Sequence, residues 1–514
     1  MPAVLILLPA LLSCLLYWGA ADLGWAFDDE DYIAAASRAQ TDLGHLFSPD
    51  KPFAARPTVH LYFWVAYKLL GEDPRSYHVA SVGLHCLNAV LLSFIVLRAA
   101  PGGLTASLAG ALFVGAVNPY RAVYWVSGVS YLLAGTFALL CLLQIRSARS
   151  ADPGLARWTS AAAYGLACGA HEAAALVVVL IAPWLWTGSV RRLLRDLSPY
   201  LLILCLLWLL SRFVYQTPLS GQSDFGLGSH LWSNLPDMLL GSFAGLGADT
   251  FEWSISSGTR RLLAAQVGLG LAAAAVMWPI YRPVVLWTLG VILPFSLWPT
   301  GPDTSRFYYL PVMGSAVIAA GAITWTAGRA AEVLRIAVVA RCLPWALVGG
   351  VLVASYRERP CLEAVQYAYS GQYLQNTRRD LAAALRQYQE GLVRCGGRAS
   401  VSVWLRNAAV CKLRLGRAAE AFGDLSGLVR ATPGYDGIYD PLMEAYLQVS
   451  HVPFPEDPAG QQAALDGLRQ EAGAATSGGR FLDARALSLL YLHYRPRDAA
   501  VRGWLDSASR GTGE

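Results

Sequence analysis

Charge is what this 514-residue chain has least of: Asp, Glu, Lys and Arg make up 15% of it, against about 25% in ordinary soluble domains. With 55% hydrophobic residues and a mean hydropathy of +0.40, a single soluble globular domain is excluded. The charges nearly cancel, 40 Lys and Arg against 35 Asp and Glu. They form no basic run or stripe, which argues against nucleic acid as a partner. The nine cysteines include no CxxC pair, so they carry neither a zinc signature nor a dithiol redox motif. Cys14, Cys86, Cys141, Cys168, Cys205 and Cys342 lie in apolar stretches and read as small hydrophobes. Cys361, Cys395 and Cys411 come later and read as free thiols or, outside the cytoplasm, as candidates for a disulfide. The first apolar stretch has no positive flank. Despite the small residues Gly19-Ala20-Ala21 it reads as a retained helix rather than a signal peptide.

What the chain has is apolar runs, concentrated before residue 356. A spanning helix needs about 20 apolar residues, fewer where it is covered by neighbours. Candidate spans are 3–21, 79–98, 104–118, 123–145, 158–170, 172–188, 199–215, 262–280, 283–299, 308–327 and 336–355. The stretch 232–247, broken by Pro236, Asp237 and glycines, reads as a helix lying in the interface. With the N-terminus in the cytoplasm, Arg98, then Arg146, Arg149 and Arg157, then Arg191, Arg192 and Arg195, then Arg282, then Arg329 and Arg335 all fall inside. This is the bias expected of cytoplasmic loops. Arg260 and Arg261 do not fit; they move inside if 232–247 is a twelfth span. With eleven spans the tail is extracytoplasmic. The expected fold is all-α: a polytopic transmembrane helical bundle over 1–355 and a soluble helical-repeat tail over 356–514.

The tail carries the repeat signal. Residues 402–435 fit a 34-residue helix–turn–helix repeat of tetratricopeptide (TPR) type. Ala408-Ala409 fall in the first helix, Leu415-Gly416-Arg417 at the turn, Ala421, Leu425 and Leu428 in the second helix, and Pro433 at the end. Residues 365–398 give a looser copy, with Ala384 and Tyr388 in its second helix. Further helices are expected near 438–449, 459–472 and 480–508. Stacked repeats of this kind present a concave surface to a partner.

Four acidic residues, Asp28-Asp29-Glu30-Asp31, follow directly on the first apolar helix. Charge at a bilayer edge is costly unless it is solvated or used. Span parity puts the cluster outside the cytoplasm, together with Arg56, His60, Asn118, Arg121, His171, Glu172, Asp303 and Arg306. Between them, the aromatic stretch Leu61–Tyr67 is amphipathic and suited to the membrane surface. A carboxylate on that side can take the proton of an acceptor hydroxyl. An arginine there can bind a phosphate through paired donors and stabilise it as it departs. Carboxylates equally suit Mg²⁺ or Ca²⁺, so base and metal ligand both stand as readings. The plainer readings are a solvated acidic loop, a self-bonded turn at His171-Glu172 and an interfacial anchor at Arg306.

The order of motifs is similar to that of the GT-C superfamily of integral-membrane glycosyltransferases. It most resembles the tetratricopeptide-containing protein O-mannosyltransferase group and its prokaryotic relatives. The segments that carry the resemblance span residues 1 to about 440. They are Phe27-Asp28-Asp29, Arg56-Pro57, Asp73-Pro74-Arg75-Ser76-Tyr77-His78, His85-Cys86-Leu87-Asn88-Ala89, Asn118-Pro119, Trp125-Val126-Ser127-Gly128, His171-Glu172, Arg306-Phe307-Tyr308-Tyr309-Leu310-Pro311 and the helical-repeat tail. His171 stands where lysine is common. The resemblance implies inverting transfer of a sugar, mannose among the candidates, from a polyprenyl- or dolichyl-phosphate donor to a protein or glycan hydroxyl outside the cytoplasm. It implies Asp28 or Asp29 as base, with Arg306, His171, Glu172 and Arg56 lining the donor site. The rival reading is a non-enzymatic membrane scaffold whose repeats recruit cell-envelope partners. A transporter would place polar residues in mid-span, where here there are few. Topology reporters test the frame: one at residue 150 reads cytoplasmic and one at residue 400 extracytoplasmic, whereas a cytoplasmic tail overturns the parity.

Overall fold

The computed structural model describes residues 2–26, 28–50, 55–99, 103–147, 153–185, 188–215, 228–244, 265, 267–272, 274–276, 281–296, 305–395, 402–452 and 458–512. Among these the structure is helical throughout and contains no strand. They divide into two compact units, Met1–Glu363 and Ala364–Glu514.

In the first unit, α1 (Pro2–Tyr17) packs against α4 (Pro74–Ala99) and α5 (Gly103–Gly115). The long loop expected after the first span contains two helices, α2 (Asp29–Thr41) and α3 (Pro57–Leu70). On α3, Val59, Phe63 and Ala66 are buried while Leu61, Val65 and Leu69 are exposed. This is the two-faced pattern of a helix lying on a surface. The span expected at 123–145 is split. A short helix, α6 (Tyr120–Tyr124), turns through Trp125–Gly128 into α7 (Val129–Ser147). Gly128 makes the turn possible: a Cβ there would lie 2.7 Å from the Arg121 carbonyl and 2.9 Å from those of Ala122 and Trp125. Then follow α8 (Pro153–Ala170), α9 (Val177–Leu185), α10 (Val190–Leu209) and α11 (His230–Ala244). The unit closes with α12 (Arg282–Ser296), α13 (Tyr309–Leu334) and α14 (Val339–Tyr373), which runs on past Glu363. The stretch read as interfacial, now α11, packs on α12 and α13.

Among the described residues, four helical stretches are long and apolar enough to cross a membrane: Pro74–Ala99, Val190–Val214, Arg306–Leu334 and Val339–Arg378. Ile6–Asp22, Gly103–Gly115, Val129–Ile145 and Arg282–Leu293 are apolar but shorter. Nine of the 19 residues of the span expected at 262–280 lie outside the described residues, as do Phe27, Asp303, Arg149 and the pair Arg260-Arg261. Helix α5 shows why a short helix serves: every residue from Ala106 to Gly115 is buried, so its neighbours rather than lipid surround it. Around α10 the opposite holds. Leu202, Leu206, Trp208 and Phe213 are all exposed, as lipid-facing residues are. Apolar surfaces gain little from meeting each other in lipid, so close packing over small residues holds such bundles. Gly110 of α5 receives Ser93 and Pro9, and Gly314 and Gly321 of α13 receive Thr288 and Tyr281; any Cβ at these glycines would collide.

One polar knot ties three helices. Asn88 of α4 donates to the Leu132 carbonyl of α7 (2.9 Å) and to the Tyr309 hydroxyl of α13 (3.0 Å), and accepts from Thr136 (2.8 Å). His85 Nδ1 lies 2.9 Å from the same Tyr309 hydroxyl.

In the second unit, α15 (Leu381–Cys395), α16 (Ser402–Arg414), α17 (Ala418–Ala431) and α18 (Tyr439–Val449) pack each on the next. The α16–α17 pair turns at Gly416, whose φ of +76° favours glycine. Ala408, Ala409, Ala421, Leu425 and Leu428 are all buried. After α19 (Pro458–Ser477), the helix expected at 480–508 is two, α20 (Phe481–Tyr494) and α21 (Ala499–Thr512). Pro496 cannot continue a helix, and Asp498 caps the next one through the amides of Ala500 and Val501. Cys395 is disulfide-bonded, and Cys411 is a buried free thiol.

Asn88→Leu leaves Tyr309 and Thr136 short of buried partners. A loss of about 1–3 kcal/mol is expected, seen as a lower thermal midpoint in detergent; an unchanged midpoint contradicts the knot's role.

Candidate active site

After α1 the chain passes through a 3-10 turn, Trp18–Asp22, and then enters α2. Asp29 opens α2 and is fully buried. Its two oxygens are occupied by backbone: Oδ2 accepts from the Ala26 amide (2.9 Å) and Oδ1 from the Ser127 amide (2.7 Å). Asp28, at the cap position, makes no side-chain capping bond and is half-buried. Asp29, Glu30 and Asp31 occupy the first turn of α2, where negative charge complements the helix dipole.

Arg56 sits at the cap of α3. Its guanidinium grips Glu172 with two bonds, Nε to Oε2 at 3.0 Å and Nη2 to Oε1 at 2.7 Å. Gly169 of α8 allows this approach, because a Cβ there would lie 2.6 Å from Thr58 Oγ1 of α3. His171 is buried and accepts from the Ala173 amide on Nδ1 (3.2 Å), capping the 3-10 turn Glu172–Leu176. Arg56 Nη2 lies 3.4 Å from its Nε2, and Tyr131 packs over the ring with centroids 4.2 Å apart. The Glu172 side chain is 70% exposed, that of Arg56 only 15%. The pair therefore shows its carboxylate, not its cation.

Arg306 precedes α13. Its guanidinium lies 5.2 Å from the Trp125 ring and 5.6 Å from that of Phe307, distances at which a cation is held by aromatic faces. Among the described residues it forms no ion pair within 4 Å. Phe307 in turn stacks on Phe295 at 4.4 Å. Arg121 of α6 also lies 5.2 Å from Trp125. Both guanidinium groups thus rest on the same ring.

Electrostatics joins these groups. Burial pushes the Asp28 carboxyl above its ordinary range; the cations Arg306 and Arg56 pull it down and Asp31 pushes it up. Burial pushes Asp29 to about 7, against the pull of its amide bonds. Asp28, Arg56 and Arg306 are thus within each other's field, and the field of both arginines also reaches Tyr32 and Tyr131.

Of the residues singled out in the sequence, Asp28, Arg56, His171, Glu172 and Arg306 come together. Asp29 is beside them but turned into the backbone. His60 is buried against Tyr32, and Asn118 donates to the Gly241 carbonyl (2.6 Å) behind the site. Tyr131 was not singled out in the sequence; Arg121 was placed on this side and Trp125 in a motif, neither with a role. The signal for Arg121 was its place in the aromatic string Tyr120–Trp125, where a cation needs a use or a ring to rest on. Among the described residues, no group of three His, Cys, Asp or Glu side chains is close enough to hold a metal ion.

Solved structures similar to this chain include ArnT from Cupriavidus metallidurans bound to undecaprenyl phosphate. It is 16% identical, with 92% of this chain and 80% of that one covered and a TM-score of 0.44. The Archaeoglobus fulgidus oligosaccharyltransferase, tethered with an acceptor peptide containing the NVT sequon, is 12% identical, with 76% and 58% covered and a TM-score of 0.43. Both of these neighbours are GT-C glycosyltransferases. No protein-family model matches the chain, and neither does any curated protein.

A carboxyl whose pKa rises on folding favours the native state in its protonated form. Asp29 therefore contributes stability below its ordinary value of 3.8, and that contribution is lost as the pH rises through about 7. The expected result is a thermal midpoint with a falling component between these limits that Asp29→Asn removes. An identical pH profile in both proteins contradicts it.

Proposed function

We propose that the chain is a membrane glycosyltransferase that moves a sugar from a polyprenyl-phosphate carrier to a hydroxyl acceptor on the extracytoplasmic side. The observation that carries this reading is a half-buried carboxyl, Asp28, free of any capping bond and within the field of two arginines, of which Arg306 has no ion-pair partner among the described residues. The resemblance of the sequence to GT-C enzymes points the same way.

In this mechanism Asp28 takes the proton of the acceptor hydroxyl. The acceptor oxygen forms its bond to the anomeric carbon as the bond from that carbon to the phosphate oxygen breaks, with inversion. The polyprenyl phosphate leaves with the electron pair and its charge develops against Arg306. Asp29 is a positioning residue: with both oxygens bound to amides it holds the loop that presents Asp28. Arg56, tied to Glu172, shapes the field and leaves Arg306 as the free phosphate ligand. The donor wall includes Tyr131 and Trp125. Mannose is the first sugar to test. A protein acceptor fits the second unit, whose helix pairs we read as TPR-like. The disulfide-bonded state of Cys395 fits an oxidising, extracytoplasmic side.

The test incubates purified protein with a panel of polyprenyl-phosphate sugars, undecaprenyl phosphate serving as the bare carrier. Turnover with one donor is expected; no turnover and no donor-induced stabilisation across the panel contradicts the reading. Arg306→Gln should weaken donor binding by tenfold or more, on the order of one charge-assisted bond. It also removes a cation that lowers the Asp28 pKa, so the acidic limb of the pH–rate profile should move to higher pH. A limb that stays in place counts against Asp28 as the base.

A further inference from the structure

The first unit holds two apolar cavities side by side, away from Asp28 and Arg306. The wider has a volume of about 550 Å³, within the range of about 300–1,000 Å³ typical of ligand pockets. Its walls include Phe243 of α11, Leu271 and Ala274 ahead of α12, and Ile318, Ala319 and Ala322 of α13. Ile318 and Ala322 follow Arg306 by 12 and 16 residues, roughly 18 and 24 Å along a helix. The narrower, about 100 Å³, is a slot walled by Leu92 and Val96 of α4, Leu139 and Leu142 of α7, Val284 of α12 and Val317 of α13. Tyr281 lines both. Its ring reaches Gly321 of α13, where any Cβ would collide with it, so it stands as a partition. Beside it Thr105, on the slot side, donates to Thr324, on the side of the wider cavity (3.2 Å).

Walls of this kind offer water few partners and suit hydrocarbon. A partition between two adjacent clefts suits two chains that share an origin. The slot also has cations at its mouth. Arg98 directly precedes Ala99, and Arg282 lies between Tyr281 and Pro283, all three of which line the slot. Both arginines are exposed. Arg282 Nε donates to the Ala275 carbonyl, next to the wider cavity (2.8 Å). That bond holds the guanidinium and leaves both of its terminal nitrogens for a ligand. The Arg98 guanidinium lies 5.3 Å from the Phe94 ring. Neither arginine has an ion-pair partner among the described residues. Paired cations above a divided apolar cleft are complementary to a phosphate carrying two hydrocarbon chains.

We propose that this double cleft binds one anionic phospholipid of the surrounding bilayer. One acyl chain enters each cavity, on either side of Tyr281, and the phosphate meets Arg98 and Arg282. A polyprenyl carrier has a single chain and would leave the partition without a purpose. The site is separate from the donor site proposed at Arg306 and does not rest on it. The bound lipid fills the space between α4, α7, α12 and α13, the helices that carry the polar knot and lead up to Arg306.

The experiment uses the full-length protein, purified and delipidated in detergent. Its thermal midpoint is followed as the micelles are doped with phosphatidylglycerol, phosphatidylcholine or undecaprenyl phosphate. Saturable stabilisation by phosphatidylglycerol is expected, at a concentration about tenfold or more below that needed of phosphatidylcholine, the scale of one charge-assisted bond. The double variant Arg98→Gln, Arg282→Gln should lose that preference. Ala319→Phe places a ring in the wider cavity and should abolish the phosphatidylglycerol response, while any response to undecaprenyl phosphate, whose phosphate belongs at Arg306, persists. Each protein is compared with itself without lipid, so a lower starting midpoint does not obscure the result. Equal responses to the two phospholipids in the parent, a phosphatidylglycerol response unchanged in either variant, or an Ala319→Phe protein that loses only its response to undecaprenyl phosphate overturns the site.

Discussion

The geometry of the candidate site depends on one buried carboxylate. Asp29 accepts hydrogen bonds from Ala26, three residues behind it, and from Ser127, ninety-eight residues ahead. The first bond closes the turn that opens α2. The second fastens that fold to the turn between α6 and α7. Without both, Asp28 has no fixed relation to Arg306 or Arg56, and Trp125 has no fixed relation to the loop. Fully buried acceptance of two amides is costly to lose, because each N–H would then be left without a partner.

The rest of the site follows from small residues at contact points. Gly128 lets α6 turn tightly into α7, which aims Trp125 at the arginines. Gly169 lets α3 approach α8, which brings Arg56 to Glu172. The resulting field is asymmetric. Arg56 is paired and mostly covered, whereas Arg306 rests on aromatic faces with no ion-pair partner among the described residues. A cation held by rings keeps its hydrogen-bond donors for a ligand. On the proposed mechanism, that difference, more than the number of charges, assigns the donor phosphate to Arg306.

Much of this was legible in the chain and some was not, for identifiable reasons. Apolar run length located the helices, because burial and lipid exposure both demand it. The same criterion merged 123–145 into one span, since nothing in hydropathy marks a turn made of Trp, Val, Ser and Gly. In the tail it merged two helices across Pro496. Asp28 and Asp29 were indistinguishable as neighbours in an acidic run; only a distant amide separates their tasks. Arg359 lay beyond the last expected span and carried no motif, so its burial against Tyr17 and Val114 is a purely tertiary fact. His85 and Asn88 were recognised as a motif, but their purpose as a knot with Tyr309 needed three helices together.

On the proposed mechanism Asp28 acts on the acceptor while Asp29 holds it in place. The most direct measurement compares sugar transfer and thermal midpoint in Asp28→Asn and the parent protein, with donor binding as a control. Transfer should fall by at least about a hundredfold, the usual scale for losing a general base, while midpoint and donor affinity stay close to the parent. Parent-level turnover in Asp28→Asn, with the protein folded and donor bound, would contradict the account.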